Sequence, residues 1–353
     1  MDRSIHSTRS RGIVDSQGTK AAEASQPVGK DSKNEVIGKA SDGDVPVLVH
    51  PGFHKTATTW LQRAIFSRTE AGYCMPSTSE ATRMFILTNP YRFDPAQTRQ
   101  ECAPQLEQAR AEGLVAVISC EDFSGYPWGS RFEGKGATER VLASFPEARV
   151  LITIREQKKT LLSLYRHYAR SLDGSNEPLE KYIGIGNVAP GFSPTFRLDQ
   201  LEYDLFIRFC QERVGAERVL VLPMEMLAAD PAEYWRRLTE FSGATPALSS
   251  DDFVKLSKEK EREGFNAFTG EIARFLKPYF RMNTLGPDHP LPTRLKEKLL
   301  RRIDPLIPAS LARRVAKKQT DVLQGHVGDY YRASNRRTTK LTGLDLAGWG
   351  YDC

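Results

Sequence analysis

The chain of 353 residues is long enough for one large or two ordinary domains, and 40% hydrophobic with 27% charged residues is the balance of a soluble globular protein. This balance excludes a wholly disordered chain, and the lack of any run near the roughly 18 apolar residues of a spanning helix excludes an integral membrane protein. The formal net charge of +6 is unevenly spread, since Arg294 to Lys340 holds 13 Lys or Arg against 4 Asp or Glu.

Residues 1–44 are rich in Ser, Gly, Lys and Asp and nearly lack large apolar groups, which predicts a disordered tail ahead of a single domain over 45–353. Met1 to Gly18 has no apolar core of the kind a secretory signal needs, so a cytoplasmic location is expected. Cys74, Cys102, Cys120, Cys210 and Cys353 share no metal-ligand or CxxC spacing and read as free thiols, with no metal site expected.

The first element is a short apolar strand at Val47, Leu48 and Val49, broken by Pro51 and Gly52. Thr56, Thr58 and Thr59 place hydroxyls where the next helix begins, and Trp60, Leu61, Ala64 and Ile65 carry that helix to about Ser67. Amides and hydroxyls at a helix start, with the full charge of Lys55 beside them, make a cradle for an anion. The cradle is not a Walker A loop, because Lys55 follows Gly52 by too few positions and is preceded by His54.

A second short strand is predicted over Gly72 to Met75, then helical segments broken at Pro90 and Pro95, with a crossover helix over Gln97 to Glu112. The run Leu114 to Ser119 has the continuous apolarity of a parallel strand, and Glu121 and Asp122 follow it at the edge where open α/β sheets bind ligands. Glu121 is therefore a candidate general base. A helix around Thr138 to Ser144 leads to the strand Arg149 to Ile154, which ends in Arg155 and Glu156. Gln157 to Arg170 carries a helical apolar stripe with Ser163 between its positions, so the Arg155 fork and the Ser163 hydroxyl can converge on one phosphate. The glycines and prolines of Ser171 to Leu198 predict a long loop, suited to cover an acceptor site. Beyond it, Leu201 to Val214 reads as a helix, Arg218 to Pro223 as a parallel strand and Ala232 to Phe241 as a helix. Ser249 to Glu263 is a polar stretch, followed by helices near Thr269 to Tyr279 and Thr293 to Arg302.

The loop at Lys55 to Thr59, with Arg155 and Ser163 further on, resembles two blocks of the sulfotransferases that use 3′-phosphoadenosine-5′-phosphosulfate (PAPS). The end of the chain, with Ser334-Asn335-Arg336 and Gly350-Tyr351, resembles the bacterial carbohydrate-type branch of that family. The resemblance implies a P-loop-like α/β fold, with a central parallel sheet of about four or five strands flanked by helices. It implies that Lys55, Thr56, Ala57, Thr58 and Thr59 hold the 5′-phosphosulfate, with Lys55 also catalytic, and that Arg155 and Ser163 hold the 3′-phosphate. Ala57 departs from the pattern, which commonly has Gly there; alanine is tolerable in a helical backbone but strained at positive φ.

The family's base is a His or a Glu, which leaves Asp122, His54 and His50 as alternatives to Glu121. Glu225 and Leu227 before Asp230-Pro231 match a segment whose role in the family is structural, and a loop near Lys258, Lys260, Arg262 and Gly264 matches weakly a segment that closes over the nucleotide. The implied acceptor is a hydroxyl of a carbohydrate or glycolipid. A P-loop-type kinase and an inactive binding protein of the same fold stay open as alternatives. The basic C-terminal region suits an anionic surface, while the lack of interleaved aromatics speaks against nucleic acid.

Overall fold

A computed structural model gives the structure over residues 45–127, 132–170, 177–184, 196–259, 265–276 and 293–353. The tail over 1–44, most of the loop over 171–198, and Lys260, Arg262 and Gly264 lie outside the described residues.

Five strands form one sheet: β1 (Val47–His50), β2 (Tyr73–Cys74), β3 (Val115–Ser119), β4 (Arg149–Ile154) and β5 (Val219–Pro223). Their order is β2-β3-β1-β4-β5 and every pairing is parallel. Alternating side chains divide the apolar strands between two cores. Val47, Val49, Ile118, Val150 and Ile152 fill one face, while Leu48, Val117, Leu151 and Leu222 fill the other. Both faces are covered, which is why the strands read as unbroken apolar runs.

The helices before β4 are α1 (Thr58–Leu61), α2 (Thr78–Ala81), α3 (Pro95–Glu101), α4 (Ala103–Glu112) and α5 (Gly134–Ser144). The predicted crossover helix is thus two. Asp94 caps α3 by accepting from the amides of Ala96 and Gln97 at 2.8 and 3.1 Å, and Pro104 restarts the chain as α4 after Cys102.

After β4 come α6 (Gln157–Arg170), α7 (Leu179–Tyr182), α8 (Tyr203–Val214), α9 (Met224–Ala229), α10 (Pro231–Ser242) and α11 (Ser250–Lys258). The polar stretch from Ser249 therefore holds a helix. Ser249 caps it, and its one fully buried side chain, Phe253, stacks on Trp235 with ring centroids 4.6 Å apart. The chain ends in α12 (Ala267–Leu276), α13 (Thr293–Ile303), α14 (Ala309–Val327) and α15 (Arg332–Thr342). The 19-residue α14 was not expected from the sequence, where its inward face is marked only by spaced residues such as Gln319, Leu323 and Val327. Among the described residues no helix is long and apolar enough to cross a membrane.

The C-terminal segment is a clamp. Ser334 and Arg337 both hydrogen-bond the buried Asp204 of α8, and Asn335 exchanges amide hydrogen bonds with Gln157 at the start of α6. Tyr351 donates to Glu225 Oε2 at 3.1 Å, while Glu225 Oε1 accepts from the Glu156 amide at 3.1 Å. Residues far apart in sequence thus fix the place where α6 leaves the sheet.

Candidate functional site

Strand order fixes where a ligand can enter. After β1 the chain moves toward β2, and after β4 it moves toward β5, so the adjacent β1 and β4 feed connections of opposite sense. The crevice opens between their carboxyl ends. Lys55 lies beyond one end and Arg155 beyond the other.

The two are brought together because β4 runs on past the end of β1. The loop after β1 lies along that extension, with the Phe53 amide donating to the Thr153 carbonyl at 3.1 Å. Arg155 Nη1 then donates to the Lys55 carbonyl at 3.3 Å. Thr58 is buried and Thr59 half-buried at the start of α1. The residue before α1, Ala57, has φ 69° and offers no side-chain cap. Lys55 is also left-handed, with φ 66°. Alanine thus stands at a positive φ, a conformation that glycine takes without a Cβ penalty, and the loop carries that strain.

Beneath the loop runs a chain of hydrogen bonds whose direction can be worked out. Thr56 Oγ1 donates to the Phe53 carbonyl at 2.5 Å, so at its 2.7 Å contact with Thr153 Oγ1 it accepts. Thr153 therefore accepts in turn from His50 Nε2 at 3.3 Å. That assigns His50 the Nε2–H tautomer, and its bare Nδ1 accepts from Ser119 Oγ at 2.8 Å. Ser119 accepts from Gln62 Nε2 at 3.0 Å, and the same amide donates to Glu121 Oε2 at 3.3 Å. Every link uses each proton once, so the anion loop and Glu121 are joined by an ordered relay. Gly52 is required beside it, since a Cβ there would lie 2.2 Å from Thr153 Oγ1 and 2.6 Å from His50 Nε2.

The relay separates the residues that can meet a ligand from those that cannot. The Thr56 hydroxyl is buried and committed to Phe53 and Thr153, leaving its backbone amide as what it can offer. His50 is fully buried with both nitrogens engaged, and burial pushes its pKa down to about 3. It is a neutral structural imidazole with no route to an acceptor. His54 is buried too, its Nε2 lying 3.1 Å from the Gly125 carbonyl and 3.3 Å from Asp122 Oδ1. Glu121 remains partly exposed, one strand away from the Lys55 loop.

Across the crevice, α6 begins differently from α1. The Glu156 carboxylate accepts from the amides of Lys158 and Lys159 at 2.9 and 2.8 Å, so this helix start is capped from within. Ser163 is half-buried on α6, and among the described residues no hydrogen bond joins it to Arg155. One turn beyond Ser163 stands His167, which sequence reasoning missed although four-residue spacing places it on the same face. Burial lowers its pKa to about 4, with Lys55, Arg170 and His54 adding to the effect, so it is neutral near pH 7 and within the field of the loop lysine. Burial also lowers the pKa of Arg166, with Arg170 and Arg155 adding to the effect and the Glu271 carboxylate opposing it. These cations repel one another, and an anion among them would relieve that repulsion.

No family profile matches the chain, and no curated protein matches it. Among solved structures it is similar to a sulfotransferase from Alicyclobacillus acidocaldarius, with a TM-score of 0.49 and 17% identity over 86% of this chain and 98% of that one. It is also similar to mouse sulfotransferase SULT7A1 complexed with PAP, with a TM-score of 0.34 and 16% identity over 78% of this chain and 88% of that one.

Proposed function

We propose that the protein is a sulfotransferase that moves a sulfuryl group from PAPS to a hydroxyl acceptor. The observation that carries this reading is the meeting of the Lys55 loop and Arg155 at the switch point of the sheet, joined by the 3.3 Å hydrogen bond. The donor set fits a nucleotide with two separated phosphate groups. The first turn of α1 has no side-chain cap, so its amides and the Thr58 and Thr59 hydroxyls can take the 5′-phosphate beside Lys55. Arg155 and Ser163, at the start and in the middle of the second block, are the pair for the 3′-phosphate.

When bound, the cofactor supplies an activated sulfuryl group. Lys55 would hold the leaving phosphate and meet its charge, the electrostatic role lysines play in phosphoryl transfer. Glu121 takes the proton of the attacking hydroxyl, and Gln62 orients its carboxylate through the 3.3 Å hydrogen bond. The similarity of the C-terminal segment to carbohydrate-type enzymes makes sugar hydroxyls, free or on a glycolipid, the acceptors to test first.

Thermal unfolding with 3′-phosphoadenosine-5′-phosphate, set against ATP with magnesium, tests the reading. At about 100 times its dissociation constant the bisphosphate should stabilise the protein by roughly 2.7 kcal/mol. Lys55→Ala and Arg155→Ala should each remove most of that gain. A shift with ATP and magnesium alone would favour a kinase, and no shift with either ligand would favour an inactive scaffold.

A further inference from the structure

The end of α13 and the start of α14 form a surface of another kind. Between Lys298 and Lys318 the chain holds seven Lys or Arg and one acid, Asp304. Lys298, Arg301, Arg302, Arg313, Arg314, Lys317 and Lys318 are all exposed. Asp304 faces inward, accepting from the Asn266 amide at 2.9 Å. Among the described residues, Lys317 alone of the seven has a carboxylate partner, Asp321 at 2.6 Å.

Charge of this density is paired with exposed apolar groups. Leu306, in the turn between the two helices, is 76% exposed, and Leu299 is 44% exposed. They are seven residues apart along a helical run that continues from α13 into the turn Asp304–Leu306, so they fall on one side of it. Pro305 and Pro308 stiffen that turn. Arg313 to Lys318 follow on the exposed side of α14, roughly 6–14 Å along its axis from its first residue.

We propose that this helix–turn–helix edge docks the protein on a bilayer surface rich in anionic lipid. Leu299 and Leu306 seat among the headgroups, and the flanking Lys and Arg side chains reach the lipid phosphates with their apolar stems against the acyl boundary. Soluble polyanions such as acidic polysaccharides would use the cations but have no place for the leucines, and the leucines are what select a membrane. The inference does not depend on the activity proposed above.

Sedimentation of the full chain with vesicles tests it. Phosphatidylglycerol–phosphatidylcholine vesicles should carry the protein down, pure phosphatidylcholine should not, and binding should weaken as salt is raised. Arg313→Gln with Arg314→Gln should lower partitioning about 25-fold, at about fivefold per cation. Leu306→Ser should lower it roughly tenfold. All three positions are exposed, so the unfolding midpoint should be unchanged; if Leu306→Ser unfolds the protein, Leu306→Ala and Lys318→Gln serve instead. No binding to phosphatidylglycerol vesicles would overturn the proposal. So would binding that survives loss of the Leu306 side chain and is displaced by heparin, since that would mark a site for soluble polyanions.

Discussion

The turn after β1 and the turn after β4 lie side by side at the carboxyl edge, and each leads a buried strand into a helix. After β4 the helix start is satisfied from within, by a Glu156 carboxylate that takes the amides of Lys158 and Lys159. After β1 the corresponding position is Ala57, which has no side-chain oxygen to give and is held at φ 69°. One turn is capped by its own chain, and the other has no side-chain cap; under the function proposed above, its amides are those that meet the ligand. Other helices of the protein, α8 and α15 among them, also start without a side-chain cap, so what sets the β1 turn apart is the lysine and the arginine beside it.

The most damaging way to break this contrast is to give the β1 turn a carboxylate of its own. Ala57→Asp should place a negative charge where an anion would sit, and Asp tolerates the left-handed region better than most residues. The gain of roughly 2.7 kcal/mol from saturating 3′-phosphoadenosine-5′-phosphate should vanish, while the ligand-free midpoint stays the same or rises. Calorimetry of both proteins with and without the bisphosphate measures this, and an undiminished gain would remove the β1 turn from the site.

The converse change strips the cap from the β4 turn. Glu156→Ala removes a buried acceptor of two amides and should cost about 2–3 kcal/mol in urea unfolding. A loss below about 0.5 kcal/mol would mean that water replaces the cap, and the two turns would then be alike.

A third difference is in what lies under the β1 turn. His50 is neutral when folded, with its pKa near 3 against an unfolded value of 6.5, so between those limits the unfolded state binds the extra proton. Stability therefore falls as pH drops below 6.5, with a contribution from His50 of up to about 1.4 kcal/mol per pH unit. His50→Gln keeps one donor and one acceptor for Thr153 and Ser119 but cannot titrate. The difference in slope between the two proteins, followed by denaturant unfolding from pH 7 to 4, isolates the imidazole; equal slopes would show that it is not enclosed in solution.

The sequence shows the frame of this edge more clearly than its wiring. Strands β1, β3, β4 and β5 stand out because burial on both faces leaves mostly apolar residues in them, and Lys55, Glu121 and Arg155 stand out because each follows a strand end. The order of the strands sets which of these ends are neighbours, and no local pattern carries that order. The relay from Thr56 to Glu121 joins residues from β1, β3, β4 and the helical turn after α1, so each of its members reads locally as an ordinary polar residue. His167, outside the relay, was missed although its four-residue spacing from Ser163 was a signal the sequence carried. Glu156 was visible beside Arg155, but its role depends on the side chain folding back on the next two amides. The helix α11 hides for a different reason: only Phe253 in it is fully buried, and its few apolar residues are set among Asp, Ser and Lys.

The smallest expected effect bears on Ala57 itself. A left-handed conformation costs an L-residue roughly 1–2 kcal/mol, and glycine avoids this cost while losing about 0.5–1 kcal/mol through the greater freedom of its unfolded chain. Ala57→Gly should therefore stabilise the ligand-free protein slightly, by about 0.5–1 kcal/mol. It should leave bisphosphate binding intact, because the amides keep their places and no side chain is added to them. A combined gain in stability and retained binding would mean that the strain is incidental to the site. If binding weakens while stability rises, the strained alanine is holding the loop open for its ligand, and glycine has let the amides turn away. Denaturant midpoints and a bisphosphate titration of the same two proteins distinguish these cases, and a loss of stability would show that residue 57 is not left-handed in solution.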